Sequence, residues 1–165
     1  MKKLLRIHPD ALYDAEYMDC VIETDDYKTP ELTLKGEYRH EKGVTVITGA
    51  GREIVMENCF ANALRLRITQ PGARVEPTVT ERLGLIDTDW ETLPYDYTLE
   101  GGVITFSNAR LTLTFDMNTN EFAFSTAEGK TLVKTKNGGA RFSDKAAEYS
   151  GMRSYTEFER VGNER

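Results

Sequence analysis

The segment ALRLRI, residues 63–68, decides the fold because its apolar and charged side chains alternate without a break. A period of two residues is that of a β-strand with one face on an apolar core and the other in water. The alternation predicts Leu64, Leu66 and Ile68 on the core face. Arg65 and Arg67 then lie on the opposite face, where we expect them to pair with acidic side chains of a neighbouring strand rather than to bind a substrate.

The rest of the chain repeats this pattern of short strands and tight turns. Residues 49–51, 100–102 and 118–120 are rich in glycine and asparagine and predict hairpin turns, because these residue types accept positive φ angles. Further strands are predicted at Met18–Thr24, Leu32–Leu34, Val44–Thr48, Glu53–Glu57, Tyr95–Leu99, Val103–Phe106, Leu111–Phe115, Phe122–Ser125 and Leu132–Val133. Loops are expected at 70–82 and 136–140, and about two helical turns at 143–149. The whole predicts an all-β antiparallel sandwich with little helix.

The composition indicates one domain without affinity for polyanions. The chain has 165 residues and a net charge of −6, from 27 acidic and 21 basic residues. Nucleic acids and anionic membranes require clustered Lys and Arg, so neither is expected as a partner. The apolar run at Leu4 and Leu5 is shorter than the roughly 7 to 15 residues of a signal-peptide core, and no run approaches the ~20 residues of a membrane span. We therefore expect a cytoplasmic protein.

Residue types that carry catalysis or bind metals do not form a recognisable constellation. Cys20 and Cys59 are expected to be reduced, buried thiols, with one bridge between them as the alternative. His8 and His40 have no partner at metal-ligand spacing. Acidic pairs at 14–16, 25–26 and 87–89 lack the order of a calcium loop, so solvated turns are expected there. Nucleotide-binding and hydrolase motifs are absent from the sequence. No catalytic residue, metal or cofactor is predicted.

Trp90, Tyr95 and Tyr97 are the candidates for a binding role. Flat aromatic faces suit the C–H surfaces of sugar rings, so these side chains are candidates for contact with carbohydrate. They are also suited to fill the core or to pack in a seam between two domains, and this is the role that we favour.

The order of the predicted strands resembles the N-terminal β-sandwich of glycoside hydrolase family 31, the family of α-glucosidases and α-xylosidases, whose fold is like that of galactose mutarotase. The resemblance spans roughly residues 40 to 165. It is carried, in chain order, by the apolar-Arg-apolar-Arg strand at 63–68, the runs at 103–106 and 111–115, the hairpin with its Glu-Gly-Lys-Thr-Leu turn at 122–132, and the strand at 155–160 that is similar to the one before the family's Tyr-Gly-Leu-Gly-Glu segment.

The resemblance implies a single β-sandwich domain over residues 1–165, the N-terminal fragment of a larger glycosidase that hydrolyses terminal α-glycosidic bonds. In that family the catalytic Asp residues lie on a later (β/α)₈ barrel. This chain is therefore expected to be inactive alone and to support the barrel, its partner in the same polypeptide. Asp116-Met117-Asn118 is similar to part of the family's Trp-x-Asp-Met-Asn-Glu nucleophile motif, but Thr114 and Thr119 replace the Trp and the Glu. We interpret it as a hairpin turn in which Asp116 caps the backbone.

Two other functions stay open. One is an autonomous carbohydrate-binding sandwich that uses Trp90 and its tyrosines, and the other is a structural interaction module. If the chain is a fragment, loss of the remainder should expose a strand edge and an apolar patch with some of Trp90, Leu93, Tyr95 and Tyr97. Unpaired edges and apolar patches recruit other chains, so self-association is expected.

Truncation of one side chain on each face of residues 63–68 tests the predicted register. Removal of a buried leucine side chain costs about 2 to 5 kcal/mol. Leu66→Ala should therefore lower the melting temperature far more than Arg67→Ala does. Equal effects in thermal unfolding would show that the register is misassigned by one residue.

Overall fold

The computed structural model describes residues 27–28, 32–60, 62–69, 74–86, 88–143 and 153–159. Their elements in chain order are β1 (Tyr27–Lys28), β2 (Leu34–His40), β3 (Gly43–Thr48), β4 (Glu53–Phe60), β5 (Ala63–Ile68), α1 (Val79–Arg82), β6 (Asp96–Glu100), β7 (Val103–Ser107), β8 (Leu111–Asp116), β9 (Glu121–Thr126), β10 (Thr131–Ser143) and β11 (Arg153–Phe158). Among these residues, no helix is long and apolar enough to cross a membrane.

The strands form two antiparallel sheets with one core between them. The smaller sheet has the order β2-β3-β4-β5, and the larger has the order β1-β10-β9-β8-β7-β6 with β11 also paired to β10. The smaller sheet contributes Val44, Val46, Ile54 and Met56 to the core, and the larger contributes Ile104, Phe106, Leu113 and Phe115, all of them fully buried. The fold is the predicted all-β antiparallel sandwich.

The register of β5 agrees with the alternation in its sequence. Arg65 lies opposite Glu57, and Leu66 lies opposite the buried Met56. Leu64, Leu66 and Ile68 pack against the core but are only half-buried, because β5 is at the edge of its sheet. The loss of stability in Leu66→Ala is therefore expected near the lower end of the range for buried leucines.

Three local predictions were wrong. Residues 79–82 form a short helix instead of a loop, with a capping box between Thr78 and Glu81. Strand β10 continues through the predicted loop at 136–140 as an irregular strand. The strand predicted at Leu32–Leu34 begins only at Leu34; Leu32 is buried ahead of it and Leu34 is exposed. The strand predicted at 18–24 and residues 144–149 of the predicted helical turns lie outside the described part of the chain.

The irregularity in β10 is held by a buried asparagine from the β8–β9 turn. Asn137, Gly138 and Gly139 all have positive φ angles, of 55°, 86° and 57°. The Asn120 side chain is fully buried, and its Nδ2 donates hydrogen bonds of 2.7 Å to the carbonyl oxygens of Gly138 and Ala140. A Cβ on Gly139 would collide with the Asn120 carbonyl oxygen. This side chain therefore takes the place of strand pairing where β10 bulges.

The free strand edges carry charges. Within the described residues β2 pairs only with β3, and β6 only with β7. Lys35, Glu37 and Arg39 alternate along β2, where charged side chains discourage pairing with other chains. The Arg39 guanidinium lies 4.9 Å from the Tyr97 ring centroid, so β2 and β6 meet at this end of the sandwich. Self-association through these edges stays a prediction.

Replacement of Asn120 tests its role in the bulge. Asn120→Ala removes this donor from two part-buried carbonyls and places alanine at a φ of 60°, so the variant should lose about 2 to 4 kcal/mol of unfolding free energy. Asn120→Gly accepts this φ but also lacks the amide, and should lose about 1 kcal/mol less. Urea unfolding measures both losses. Wild-type stability in Asn120→Ala would contradict the assigned role.

Candidate functional site

A cluster of four charged side chains lies on the outer face of the smaller sheet. Glu57 on β4 is buried and accepts from Arg65 Nε at 2.9 Å and from an Arg67 guanidinium nitrogen at 2.7 Å. Arg65 also binds the carboxylate of Glu81, at 2.5 Å. The predicted cross-strand pairing of the two arginines with an acidic neighbour is confirmed. We call these four residues the ionic cluster.

The ionic cluster joins the sheet to the β5–β6 connection, residues 69–95. Glu81 belongs to α1 in this connection, and its carboxylate also accepts from the backbone N–H of Thr78. The backbone N–H of Val75 donates to the Glu53 carboxylate at 3.0 Å. The helix begins at a capped residue and is anchored by the same glutamate that binds Arg65. This part of the connection is thereby fixed against β4 and β5.

The second half of the connection is tied to the sheet through Asn58 and Trp90. The indole N–H of Trp90 donates to the Asn58 carbonyl at 3.1 Å. The Asn58 side-chain amide donates to the Leu93 carbonyl, also at 3.1 Å. Lys42 donates to the Thr88 carbonyl at 2.9 Å. Together these bonds hold residues 88–93 along the end of the sheet.

The electrostatics of the ionic cluster argue against proton transfer. Hydrogen bonds from Arg65 and Thr78 lower the pKa of Glu81 to about 2. Desolvation opposes the charge of Arg65, but its hydrogen bonds to Glu81 and Glu57 raise its pKa. Burial raises the pKa of the Cys59 thiol, against the opposing effect of Arg65. A general acid or base near neutrality needs a pKa close to the working pH, so these groups serve to hold the structure together.

Trp90 is buried beside the ionic cluster. It is 8% exposed. The centroid of the Phe60 ring lies 5.6 Å from the centroid of the Trp90 ring. The Lys42 ammonium lies 4.6 Å from the indole centroid and the Arg65 guanidinium 5.4 Å from it. Cations over an indole face add stabilisation of about 0.5 to 2 kcal/mol each.

The two tyrosines make other contacts. The Tyr95 hydroxyl is shared between the carbonyls of His40 and Gly43, at 2.9 and 2.8 Å. Tyr97 is 8% exposed, and its hydroxyl donates to Glu37 at 2.6 Å. Burial raises the pKa of both phenols, and for Tyr97 the hydrogen bond to Glu37 adds to the rise.

The expected exposed patch is wrong for Trp90 and Tyr97, which are buried, whereas Leu93 and Tyr95 are half-buried. The described structure therefore leaves Trp90 and Tyr97 no open ring face for a sugar. Contact of Trp90, Tyr95 and Tyr97 with carbohydrate or with another domain stays a prediction.

Asp116 has the turn role that its sequence context predicts. Its Oδ1 accepts from the Asn118 backbone N–H at 2.8 Å and from the Asn118 amide at 3.0 Å. The same amide donates to the Gly101 carbonyl at 3.0 Å and so joins two hairpin turns. Asp116 is therefore a cap in the β8–β9 hairpin.

The cysteines, histidines and acidic pairs considered as metal ligands lie only partly within the described residues. Among those residues no group of three or more His, Cys, Asp or Glu is placed to hold an ion. Cys59 is a buried free thiol. The backbone carbonyl of His40 accepts a hydrogen bond from the Tyr95 hydroxyl. The centroid of the His40 ring lies 6.2 Å from that of the Tyr38 ring. Cys20, His8, Asp87 and the acidic pairs at 14–16 and 25–26 lie outside the described ranges.

Sequence reasoning missed an exposed apolar surface on the β5–β6 connection. Val79, Leu83, Leu85 and Ile86 are all exposed there. We call these four residues the apolar ridge. The available signal was the capping box, since Thr-x-x-Glu before an apolar residue predicts a helix start. The presence of two prolines at 71 and 77 favoured a loop instead.

Comparison with known proteins supports the fold. No protein-family profile and no curated protein matches the sequence. Among solved structures, the chain is similar to the crystal structure of a GH31 α-xylosidase from Xanthomonas citri, with a TM-score of 0.57 and 19% sequence identity. The similarity covers 74% of this chain and 13% of the xylosidase chain. The two proteins therefore share a β-sandwich fold, over a small part of the xylosidase.

The ionic cluster predicts a loss of stability in acid. Because the folded-state pKa of Glu81 is about 2, below its ordinary 4.5, its contribution is present above pH 4.5 and is lost as the pH falls towards 2. The difference in unfolding free energy between wild type and Glu81→Gln should be largest above pH 4.5 and shrink towards pH 2. Urea unfolding at several pH values measures it.

The matched control for this prediction is Glu91→Gln, at an exposed glutamate of the same connection. Its effect should be small at every pH. A difference for Glu81→Gln that does not vary with pH would contradict the assigned role of the ion pair.

Proposed function

We propose that this chain is a non-catalytic β-sandwich domain of a family 31 glycoside hydrolase, and that it supports the (β/α)₈ catalytic barrel of the same polypeptide. The observation that carries the proposal is the fold similarity to the GH31 α-xylosidase, which extends over 74% of this chain. The succession of strand motifs from residue 63 to residue 160 supports the same family. The parent enzyme would act on terminal α-glycosidic bonds.

The chemistry of the described carboxylates supports a non-catalytic role. Glu57 and Glu81 both bind Arg65, so two carboxylates do lie near one another. Retaining glycosidases use one such group as a general acid with a raised pKa, about 5 to 5.5 Å from the nucleophile. The pKa of Glu81 is instead lowered to about 2. Both carboxylates are occupied by arginine, which leaves neither free to protonate a leaving group.

The supporting role suits a rigid domain. The β5–β6 connection is held to the sheet by the ionic cluster and by the hydrogen bonds of Trp90 and Asn58. A domain with such a fixed surface can position a neighbouring domain without reorganising.

A cytoplasmic location belongs to the proposal, and the free thiol of Cys59 agrees with a reducing compartment.

The gene that encodes this chain provides the first test. Translation should continue beyond Arg165 into a barrel-sized segment that contains a Trp-x-Asp-Met-Asn-Glu motif. A stop codon at this position, or a following segment without a barrel, would contradict the proposal.

The isolated chain should be catalytically silent. Neither aryl α-glucosides nor aryl α-xylosides should be hydrolysed above the background rate, because retaining glycosidases need a paired acid and nucleophile and the motif-like Asp116 caps a turn instead. Asp116→Asn serves as the control for the motif-like tripeptide and should change nothing. Turnover that survives purification and disappears in Asp116→Asn would place a nucleophile on this chain. A change in Trp90 fluorescence on titration with maltose would instead favour an autonomous carbohydrate-binding module.

A further inference from the structure

The apolar ridge is a surface without a partner in the described structure. Val79, Leu83, Leu85 and Ile86 are 60%, 67%, 71% and 49% exposed. Val79 and Leu83 are four residues apart and so lie on one side of α1 and its C-terminal end. Single exposed apolar side chains are common on proteins, whereas a concentration of them marks an interaction site, and here four lie within eight residues of one connection.

The segment that carries the apolar ridge is held against the sheet by hydrogen bonds and an ion pair. Glu81 lies within it in sequence and is bound to Arg65 of the sheet, and the first turn of α1 is closed by the capping box of Thr78. Lys42 holds Thr88, just beyond Ile86. A surface that is already ordered loses little conformational entropy on binding. The exposed side chains are therefore placed for a contact that does not require the connection to refold.

The chemistry of the ridge indicates a protein partner. All four side chains are aliphatic, and sugars are bound by aromatic faces together with polar groups. Arg82 lies between Val79 and Leu83 and is also exposed. Aliphatic side chains with few charges among them are typical of permanent interfaces between protein domains.

We propose that the apolar ridge is the surface on which the catalytic part of the same polypeptide docks. This inference rests on the proposed function. Chain length indicates the occupant: the part of the xylosidase that is similar to this chain is 13% of that protein, so by far the larger part of such a polypeptide lies outside it. A tethered partner is present at an effective concentration of the order of millimolar. A small aliphatic patch is then sufficient for stable contact.

Hydrogen exchange tests the docking directly. The full-length product of the gene and the 165-residue chain are compared under identical conditions. Backbone amides at 80–86 should exchange at least tenfold more slowly in the full-length protein, whereas amides of β4, which is paired on both sides within this chain, should exchange alike in both. Equal exchange at 80–86 in a full-length protein that contains a barrel overturns the inference and leaves the proposed function intact. A gene product without a barrel overturns the proposed function and the inference together.

Paired variants separate docking from folding. Leu83→Asp with Leu85→Asp should leave the unfolding of the isolated chain nearly unchanged, because both side chains are exposed. In the full-length protein the same pair should abolish the protection at 80–86. Leu132→Asp, at a similarly exposed leucine of β10, is the control and should leave that protection in place. Retained protection in the double variant overturns the inference.

Sedimentation of the isolated chain identifies the competing occupant. If the chain forms a dimer that the double variant abolishes, while the full-length protein shows no protection at 80–86, the ridge binds a second copy and the inference is overturned. A dimer that appears only when the catalytic part is absent supports the inference, since the exposed apolar ridge then binds a second copy of the chain instead.

Discussion

The Arg65 guanidinium binds two carboxylates that come from different parts of the chain, and the placement of α1 against the sheet depends on it. Glu57 is in the neighbouring strand β4, and Glu81 is in α1, sixteen residues after Arg65. Burial of charge is tolerated only when each ion is paired and hydrogen-bonded. Loss of Arg65 would leave the carboxylate of Glu81 without its cation, whereas Glu57 would keep Arg67. The ion pair with Arg65 therefore fixes where Glu81 and α1 lie against the sheet.

The sandwich could be predicted from sequence because its information is local. The alternation in residues 63–68 and 111–116 fixes which faces are buried, and the glycine turns at 49–51 and 100–102 fix where strands reverse. The path of β10 could not be predicted in this way. Asn137-Gly138-Gly139 has the composition of a loop, and side chains from other strands and turns, above all the amide of Asn120, hold it within the strand.

The candidate site was predictable in part for a related reason. Arg65 and Arg67 face away from the leucines of their own strand, so their pairing with an acidic neighbour followed from the period of two. The pairing of Arg65 with Glu81 could not be predicted in this way, because no local sequence pattern relates Glu81 to β5. The aromatic residues show the same limit. The sequence identifies Trp90 and Tyr97 as large apolar rings, but their burial depends on Lys42, Phe60 and Glu37, which lie far away in the chain.

The pairing of β1 with β10 has a consequence for the order of events during synthesis. Tyr27 lies opposite Ser143, so this contact must wait until the ribosome has added more than a hundred residues, which takes on the order of ten seconds. The sheet of β2, β3, β4 and β5 has no such delay, since its strands pair with their neighbours in sequence. It can form while β6 to β10 are still being made. During that interval Val44, Val46, Ile54 and Met56 face water, and the nascent chain depends on speed or on a chaperone to keep that face from other molecules.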